Sequence, residues 1–336
     1  MERRVVMADV AKLAKVSSQT VSRVLSGKGT VRPETERRVR NAIEYLGYQP
    51  SIAAQMLASG TSKAIGVLTI GNLSYGRMQA FSAFERVARA NGHYVMPATS
   101  TSYEIDDLIE AIHYFRQARI RSLVIIGQRV ELIKELIPHI KVPTVVAINT
   151  DLEFDHVSVV QIDQVTSTQK LLSHMIDVGA KNIVFLGPEI PDVDAVLRQQ
   201  AYVDFCERND IEPIVIQTPG WGAADGAKAG QQILQTCRFD GIIAANDHLA
   251  IGCSAALKEH SRLTPGTDYA LAGFDDIETA AFQYPGLTTV RQGFIDYADV
   301  VFQQVEEMHS TGEAQTRKLF AEVIVRGSTS WFNQAK

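Results

Sequence analysis

A cluster of polar side chains near the N-terminus has the types and spacing that contact base pairs. Its members are Ser18, Gln19, Ser22 and Arg23. A glutamine amide can pair with adenine and an arginine guanidinium with guanine through two hydrogen bonds, whereas a serine hydroxyl accepts more than one base. Thr20, Thr35 and the neighbouring lysines and arginines would mainly contact phosphates. The chemistry predicted for this segment is hydrogen bonding to a nucleic-acid duplex.

Apolar residues around this cluster predict the helix that must position it. Val21, Val24 and Leu25 recur at the spacing of one helix face, which indicates a helix over residues 18–26. Ser17 precedes this helix and can cap it by accepting a backbone N–H bond. The polar cluster therefore belongs to the first turns of a short amphipathic helix.

Two further short helices are predicted on either side. The apolar positions of the first are Val10, Leu13 and Ala14. The third begins at Pro33, ends at Gly47 and buries Val39, Ile43 and Leu46. Three such helices with a tight turn between the first two are typical of a helix-turn-helix module, whose second helix enters the major groove. On the helical pattern alone, a small helical bundle with a polar surface remains an equal alternative.

Charge is distributed unevenly along the chain. The 336 residues have a formal net charge of −5, but residues 1–60 contain ten lysines and arginines against five aspartates and glutamates. This segment carries +5, and the remaining 276 residues carry −10. The asymmetry indicates a small basic module, suited to a polyanion, that is separate from a large acidic domain.

From residue 62 onward, apolar β-type runs alternate with helical patterns. The predicted strands are 65–70, 94–98, 122–126, 144–149, 157–162, 182–186, 214–217, 241–245, 270–274, 288–291 and 323–325. The predicted helices are 78–91, 105–116, 166–178, 194–209, 224–237 and 249–259. Alternation at this spacing indicates two parallel sheets covered by helices, with a ligand cleft near the carboxyl ends of their strands.

Residues with catalytic potential are present but isolated. His248 follows Asn246-Asp247, yet no G-x-S-x-G motif accompanies it, and a surface or helix-capping role is favoured. The pair Asp275-Asp276, taken alone, is more typical of a helix cap than of a metal site. Phosphate-loop and dinucleotide motifs are missing, and the eight histidines are scattered. We therefore expect neither an enzyme nor a cofactor.

The sequence also predicts where the protein resides. It has no run of about 18 apolar residues that would predict a membrane span. The N-terminal residues lack the apolar stretch of a secretory signal. Three cysteines without close pairing or zinc spacing are typical of a reducing compartment. We expect a cytoplasmic protein that does not contact membranes.

One long motif identifies the basic segment. The run from Asp9 to Leu25, DVAKLAKVSSQTVSRVL, resembles the DNA-binding head of the lactose-repressor/galactose-repressor (LacI/GalR) family. The segment YLGYQP at residues 45–50 resembles the close of that family's third helix. The resemblance implies a helix-turn-helix head over residues 1–50 that binds double-stranded operator DNA, with Tyr48 among its contacts. Val6 departs from the family pattern, where Ser or Thr often caps the first helix.

Residues 51–61 are predicted to be a hinge. Their composition favours a helix from about residue 51 to 58, but eight residues are too few for a stable isolated helix. On composition alone, a plain linker with Leu57 packed on the larger domain is the alternative. The resemblance implies that this helix folds on DNA as a pair, one from each subunit of a homodimer, in the minor groove. Ala54 and Leu57 would contact the DNA, and Leu57 would be inserted into the central base step.

Residues 62–330 resemble the family's periplasmic-binding-protein-like effector core. The matching segments are residues 65–67, 245–252, 272–276 and 287–292. The resemblance implies three crossovers between two subdomains. The N-subdomain would comprise about residues 62–162 and 292–321, and the C-subdomain about 163–291 and 322–330.

The resemblance also implies which residues bind the effector. They are Asn149, Arg198, Trp221, Asn246, Asp275, Gln292 and Phe294. An arginine fork suits paired hydroxyl oxygens, and an aromatic ring can stack on the C–H face of a sugar. Helix-surface and buried-aromatic roles remain the alternatives for Arg198 and Trp221.

Three departures separate this core from the family pattern. Asn149 stands where several members carry Asp, which keeps hydrogen bonding but removes charge. Residues 70–77 lack the usual N-P-F-[FY] run, and residues 121–127 replace V-D-G-[LI]-I. Because both loops are expected at the cleft, the family's ligands cannot be transferred to this chain.

Together these features predict an all-α helix-turn-helix head joined to an α/β core of two parallel-sheet subdomains. The expected function is a dimeric transcriptional regulator, a repressor of carbohydrate-utilisation genes controlled by a sugar or sugar phosphate. Residues 327–336 contain no heptads, so a tetramer built on a C-terminal coiled coil is not expected. A free carbohydrate receptor and a sugar-processing enzyme are the alternatives, but one requires export and the other a catalytic constellation.

Overall fold

The structure, a computed structural model, describes residues 5–26, 30–48, 62–72, 74–150, 154 and 156–330. The chain forms two compact units, Met1–Lys63 and Ala64–Lys336. The predicted hinge, with Ala54 and Leu57, lies outside the described residues.

The smaller unit contains three helices, as predicted. They are α1 (Met7–Ala14), α2 (Ser18–Ser26) and α3 (Pro33–Leu46). One small hydrophobic core holds them together, and Val10, Val21 and Val39 are its most buried members. The exception to the predicted pattern is Leu13, which is 47% exposed, because the short α1 turns mainly its alanines and Val10 inward.

Side-chain hydrogen bonds mark where α1 and α2 begin. The Ser17 hydroxyl accepts the Thr20 N–H at 3.2 Å, which confirms the predicted cap of α2. At α1, where Val6 has no polar side chain, the Asp9 carboxylate accepts the Val6 N–H at 2.9 Å. This bond is the acidic half of a capping box, and it compensates for the missing Ser or Thr.

The larger unit alternates strands and helices. Its strands are β1 (Ala64–Ile70), β2 (Tyr94–Ser100), β3 (Ser122–Ile126), β4 (Thr144–Ala147), β5 (Val157–Ile162), β6 (Ile183–Pro188), β7 (Ile214–Thr218), β8 (Gly241–Ala244), β9 (Ala270–Ala272), β10 (Thr289–Arg291), β11 (Thr316–Leu319) and β12 (Glu322–Ile324). Its helices are α4 (Tyr75–Ala90), α5 (Ile105–Gln117), α6 (Val130–Leu136), α7 (Gln164–Asp177), α8 (Val193–Arg208), α9 (Ala223–Thr236), α10 (Asp247–Ser261), α11 (Phe294–Thr311) and α12 (Gly327–Ser330).

Two parallel sheets organise this unit. The first has the order β11-β5-β4-β3-β1-β2, and the second has the order β7-β6-β8-β9. An antiparallel pair, β10 and β12, joins the second sheet through a bridge between Ala272 and Thr288. The chain therefore crosses between the two sheets three times, after β5, after β10 and after β11. The predicted fold class, a helical head plus a core of two parallel sheets, is confirmed.

Strand β11 was not predicted from the sequence. It pairs in parallel with β5 at the edge of the first sheet, and Arg317 and Lys318 are exposed on it. Charged residues are common on edge strands because they discourage pairing with other chains, and they also hide the apolar signal of a strand.

The buried strands and their covering helices form the hydrophobic core. Strands β3, β4 and β5 are buried at every position, as expected for a parallel sheet covered on both faces. Helix α11, whose residues were assigned to the N-subdomain without a predicted helix, packs against α4 and against β3, β4 and β5. Among the described helices, none combines the length and apolar composition that a membrane span requires.

Candidate functional site

The polar cluster of the smaller unit lies on the surface of α2. Ser18, Gln19 and Arg23 are exposed, and Ser22 is half-buried. Thr20 is also half-buried, and its hydroxyl lies 2.9 Å from that of Ser17. Because the apolar face of α2 is turned to the hydrophobic core, its polar face is left for a partner.

Two other candidates of this unit have different surroundings. Thr35 lies half-buried in the first turn of α3. Tyr48 is only 7% exposed and packs among the buried residues of the three helices. The structure thus gives Tyr48 a packing role, and its contact with DNA stays a prediction for whatever part of the ring remains accessible.

All the predicted effector residues of the larger unit line one cavity. It encloses about 660 Å³, including its open mouth. The seven residues are Asn149, Arg198, Trp221, Asn246, Asp275, Gln292 and Phe294. The structure therefore brings together side chains that are up to 145 positions apart in sequence.

The topology explains this convergence. Asn149, Asn246 and Asp275 follow the carboxyl ends of β4, β8 and β9. In open parallel sheets, ligands bind beside these strand ends. Gln292 follows β10, and Phe294 begins α11.

Arg198 is the centre of the polar network. Its side chain is buried, and its Nε donates to Gln164 Oε1 at 2.8 Å while Nη1 donates to the Ala245 carbonyl. Nη2 lies 3.9 Å from a carboxylate oxygen of Asp194 and 3.9 Å from one of Asp275. The alternative of a solvated helix charge is therefore wrong for Arg198.

The guanidinium of Arg198 also lies against aromatic rings. Its carbon is 3.7 Å from the ring centroid of Phe274 and 5.7 Å from that of Trp221. Such contacts hold a cation in place without using its hydrogen-bond donors. Trp221 is half-buried, and its carbonyl accepts the side-chain amide of Asn246 at 3.1 Å.

Asp275 is a buried carboxylate with a perturbed pKa. Burial raises the pKa of this carboxyl to about 6, although Arg198 and the hydrogen bond from Gln292 lower it. Gln292 Nε2 donates to Asp275 Oδ1 at 2.6 Å, and Gln164 Nε2 donates to Gln292 Oε1 at 3.1 Å. Asp275 therefore belongs to a continuous chain of hydrogen bonds that ends at Arg198.

Asp275 and Asp276 do not cap a helix, contrary to the expectation for the isolated pair. Asp276 instead accepts hydrogen bonds from Arg291 and Arg326, each at 2.7 Å. Both aspartates have positive φ angles, +110° and +51°, which turn neighbouring side chains in different directions. Asp275 lines the cavity, whereas Asp276 binds two arginines from segments that follow β9 in the sequence.

His248 and Asp247 lie at the start of α10. Asn246 caps this helix by accepting the Leu249 N–H at 2.9 Å, so the expected capping role belongs to Asn246 and not to His248. Asp247 is fully buried and accepts hydrogen bonds from the Thr289 hydroxyl and the Ile277 N–H. Across the described ranges, no group of three or more His, Cys, Asp and Glu side chains could hold a metal ion.

Sequence reasoning missed a second set of cavity residues. They are Tyr75, Arg77, Gln128, Asp192 and Asp194. Asp192 and Asp194 lie at the start of α8, a position where aspartates commonly stabilise the helix end. The available signal was therefore indistinguishable from ordinary helix capping.

Asp194 joins the two sides of the cavity. Its carboxylate accepts hydrogen bonds from the Asn149 amide and, at 2.6 Å, from the Gln128 amide. The Asp194 N–H in turn donates to Gln128 Oε1 at 3.1 Å. Asn149 also accepts the Ile162 N–H at 2.9 Å, so its amide is fully oriented. The amide of Asn149 thus supplies the hydrogen-bond donor that the carboxylate of Asp194 accepts.

Asp192 makes a parallel connection. Its carboxylate lies 3.4 Å from Arg77 Nη1 and 3.0 Å from Arg129 Nε. Arg77 also donates to the Asn72 carbonyl at 2.7 Å, and the guanidinium of Arg129 stacks over Tyr103. The loop before α8 is therefore held by two arginines, one on α4 and one immediately before α6.

With this geometry established, comparison with known proteins identifies the family. The family model described as "Bacterial regulatory proteins, lacI family" matches residues 6–51, and that of the "Periplasmic binding protein-like domain" matches residues 172–329. The HTH-type transcriptional regulator AscG of Escherichia coli strain K12 is 28% identical, over 95% of this chain and 96% of that protein. The chain belongs to the LacI family.

Other LacI-family proteins cover most of the same length. The lactose operon repressor of Escherichia coli strain K12 is 29% identical, over 86% of this chain and 81% of that protein. A crystal structure of the lac repressor dimer bound to operator and the anti-inducer ONPF superimposes with a TM-score of 0.88 at 25% identity. It covers 97% of this chain and 99% of that one. The present chain is thus a transcriptional regulator of the LacI family.

Proposed function

We propose that this LacI-family regulator is an operator-binding repressor of carbohydrate-utilisation genes, released or recruited by a sugar or sugar derivative in the cavity. The main support for this proposal is that all seven side chains predicted to bind the effector line one cavity. The lac repressor, a relative, was crystallised on operator with a small molecule bound. The same chain carries a helix with an exposed polar face, which suits a large polar partner such as duplex DNA.

For the head, residues 1–50, we propose direct contact with bases through α2. Ser18, Gln19 and Arg23 are exposed on that helix and have the donors and acceptors that distinguish base pairs. Thr20, Ser22 and Thr35 are assigned to phosphates or to supporting contacts. Because each head would contact one half-site, a pseudo-palindromic operator and a homodimer are part of the proposal.

For the larger unit, we propose that the cavity binds hydroxyl groups. Amides, carboxylates and a guanidinium offer both donors and acceptors, which a hydroxyl group can satisfy simultaneously. Trp221 offers an aromatic face for the apolar C–H side of a ring. Phe294 lies across the cavity and contacts Tyr75 edge-to-face, with ring centroids 6.5 Å apart.

The proposed homodimer has a candidate surface on the larger unit. Phe282 and Tyr284 are 81% and 90% exposed, beside a turn that contains Pro285. Exposed aromatic side chains are enriched at interfaces between proteins. A dimer that binds chromosomal operators would act in the cytoplasm, as the unpaired cysteines also suggest.

The proposed hinge helices would bend the operator. Leu57→Ala should reduce the bend angle of bound DNA, because the smaller side chain cannot hold open a base step whose unstacking costs roughly a few kcal/mol. Circular-permutation mobility or FRET across the site measures the angle. Ala58→Ser, a small change at the neighbouring position, is the control. Equal angles for the parent and Leu57→Ala would reject the insertion.

A thermal-shift screen tests the proposed function as a whole. The full chain is mixed with sugars and sugar phosphates, and each one that raises the melting temperature is retested with a DNA site selected from a random pool. An inducer stabilises the protein and loosens DNA, whereas a corepressor strengthens DNA binding. A protein that binds DNA but that no member of the panel stabilises would contradict a sugar effector.

A further inference from the structure

The charged side chains that line the cavity have an acidic balance. Within the described residues they are the arginines Arg77 and Arg198 and the aspartates Asp192, Asp194 and Asp275. Positions 73, 151–153 and 155, which the structure does not describe, contain no lysine or arginine. The chain therefore supplies three carboxylates and two guanidinium groups to this wall, and a third guanidinium, that of Arg129, contacts Asp192 without lining the cavity.

Both guanidinium groups are already bound. Arg77 donates to the Asn72 carbonyl and to Asp192, while Arg198 donates to Gln164 and the Ala245 carbonyl. Arg198 also lies 3.9 Å from Asp194 and from Asp275. An incoming phosphate would have to compete with a carboxylate for each arginine. At Arg198 it would leave Asp194 and Asp275 buried without their cation, whereas Asp192 would keep Arg129. Burial of an unpaired charge is strongly unfavourable.

The helix N-termini at the cavity offer little more to an anion. A helix N-terminus binds anions through its free N–H groups, and an acidic side chain can occupy the same place. Helices α8, α10 and α11 each carry aspartate in the first turn. Helix α4 has no acidic residue there, but its Arg77 is the guanidinium already bound to Asp192.

The uncharged side chains of the cavity are suited to hydroxyl groups. Asn149, Asn246 and Gln292 present amides, and the carboxylates of Asp194 and Asp275 accept hydrogen bonds that now come from amides. A hydroxyl group can replace an amide donor at a carboxylate without adding charge. The cavity is therefore suited to hydroxyl groups on an uncharged molecule.

We propose that the effector is an uncharged polyhydroxyl molecule and that Asp192 and Asp194 exclude its phosphorylated forms. This inference rests on the proposed function, since it names the class of effector that the cavity accepts. It makes the two aspartates at the start of α8 the specificity-determining residues of the site.

The charge of the cavity can be measured without knowing the effector. The chain has two tryptophans, Trp221 and Trp331, so the full-length W331F variant reports fluorescence from the cavity alone. Iodide, caesium and acrylamide are compared as collisional quenchers at pH 8 and matched ionic strength. The quenching constant of each ion is divided by its value for free tryptophan. We expect the resulting ratio for iodide to be about threefold below that for caesium, because an acidic cavity repels anions.

Two matched variants of α8 locate the source of this repulsion. In the W331F background, D194N should reduce the difference between the quenching constants of iodide and caesium. D204N, on the same helix but outside the cavity, should leave that difference unchanged. Equal quenching by iodide and caesium in the W331F chain would overturn the inference whether or not D194N folds. The inference would also be overturned if D194N and D204N reduced the difference between the two quenching constants equally.

Calorimetry then separates this inference from the proposed function. Glucose, fructose, ribose and trehalose are each compared with their monophosphates on the full chain. A neutral sugar that binds about tenfold or more tightly than its phosphate supports the inference. A phosphate that binds more tightly than its neutral partner overturns the inference but leaves a sugar-derived effector standing. If none of the eight compounds binds, the sugar effector itself is contradicted, and with it the inference.

Discussion

The two units of this protein use similar polar residues in opposite ways. In the head, Gln19 and Arg23 are exposed on a helix whose other face is buried. In the cavity, Gln292 and Arg198 are buried and bonded to other side chains. The first arrangement suits a large hydrated partner, while the second suits a small molecule that replaces internal hydrogen bonds. Changes in the head should therefore affect partner binding, whereas changes in the cavity should also affect stability.

Arg198→Ala should give the largest effect. Its removal leaves Asp194 and Asp275 without their cation, and breaking a buried ion pair costs about 3–5 kcal/mol of the free energy of unfolding. Urea denaturation of the full chain measures the loss. Arg208→Ala removes an exposed arginine from the C-terminal end of the same helix, and it should change stability little. Equal losses in the two variants would remove the distinction between buried and exposed polar groups.

The pH dependence of stability tests the buried carboxylates. Burial, and then the nearby Asp275, raise the pKa of Asp247 to about 8. Because the neutral form is favoured in the folded state, its contribution to stability is present below about pH 4 and is lost as the pH rises towards 8. The unfolding free energy of the parent relative to Asp247→Asn should fall by several kcal/mol across this interval, since each unit of pKa difference between the folded and unfolded states is worth about 1.4 kcal/mol.

Denaturation series at several pH values from 4 to 8.5 check this prediction. Asp204→Asn serves as the control, because this residue lies near the surface on α8 and is not deeply buried. A parent and Asp247→Asn pair whose stability difference is constant over the range would contradict the assigned pKa.

Arg23→Ala should leave stability unchanged but relax base selection. Loss of a two-bond contact with guanine costs about 1–3 kcal/mol at one operator position. Competition binding with single-base variants of a selected site measures this loss. Arg37→Ala, on the exposed side of α3, should weaken binding to all sequences alike. Unchanged base preference in Arg23→Ala would reject its proposed contact.

Most elements could be predicted because their signals are local. The caps and apolar spacing of α2 and α3 determine both helices almost to the residue. Strands β3, β4 and β5 are short runs rich in valine and isoleucine, a local signal for a buried strand. By contrast, β11 gains its place only by pairing with β5, some 157 positions earlier in the sequence, and its own charged residues give no strand signal.

In the cavity, too, contacts between residues that are distant in the sequence could not be predicted. Asn149 and Arg198 could be chosen by resemblance, but their partner Asp194 could not. Its role depends on Gln128, which lies 66 positions earlier and across the cavity. Likewise, nothing local indicates that Asp192 meets Arg77 from 115 positions away. Sequence reasoning therefore found the residues that a ligand would touch and missed those that set the charge around it.

The central claim is that a small molecule in the cavity controls the affinity of the head for DNA. The decisive measurement is the fluorescence anisotropy of a labelled, selected DNA site, titrated with the parent or with Trp221→Ala, each with and without a sugar that stabilises the parent. We expect the sugar to change the DNA affinity of the parent by about tenfold, within the usual range of coupling between sites. Trp221→Ala should keep the parent's affinity without sugar and lose most of the response. A parent whose DNA affinity is the same with and without saturating sugar would contradict the account.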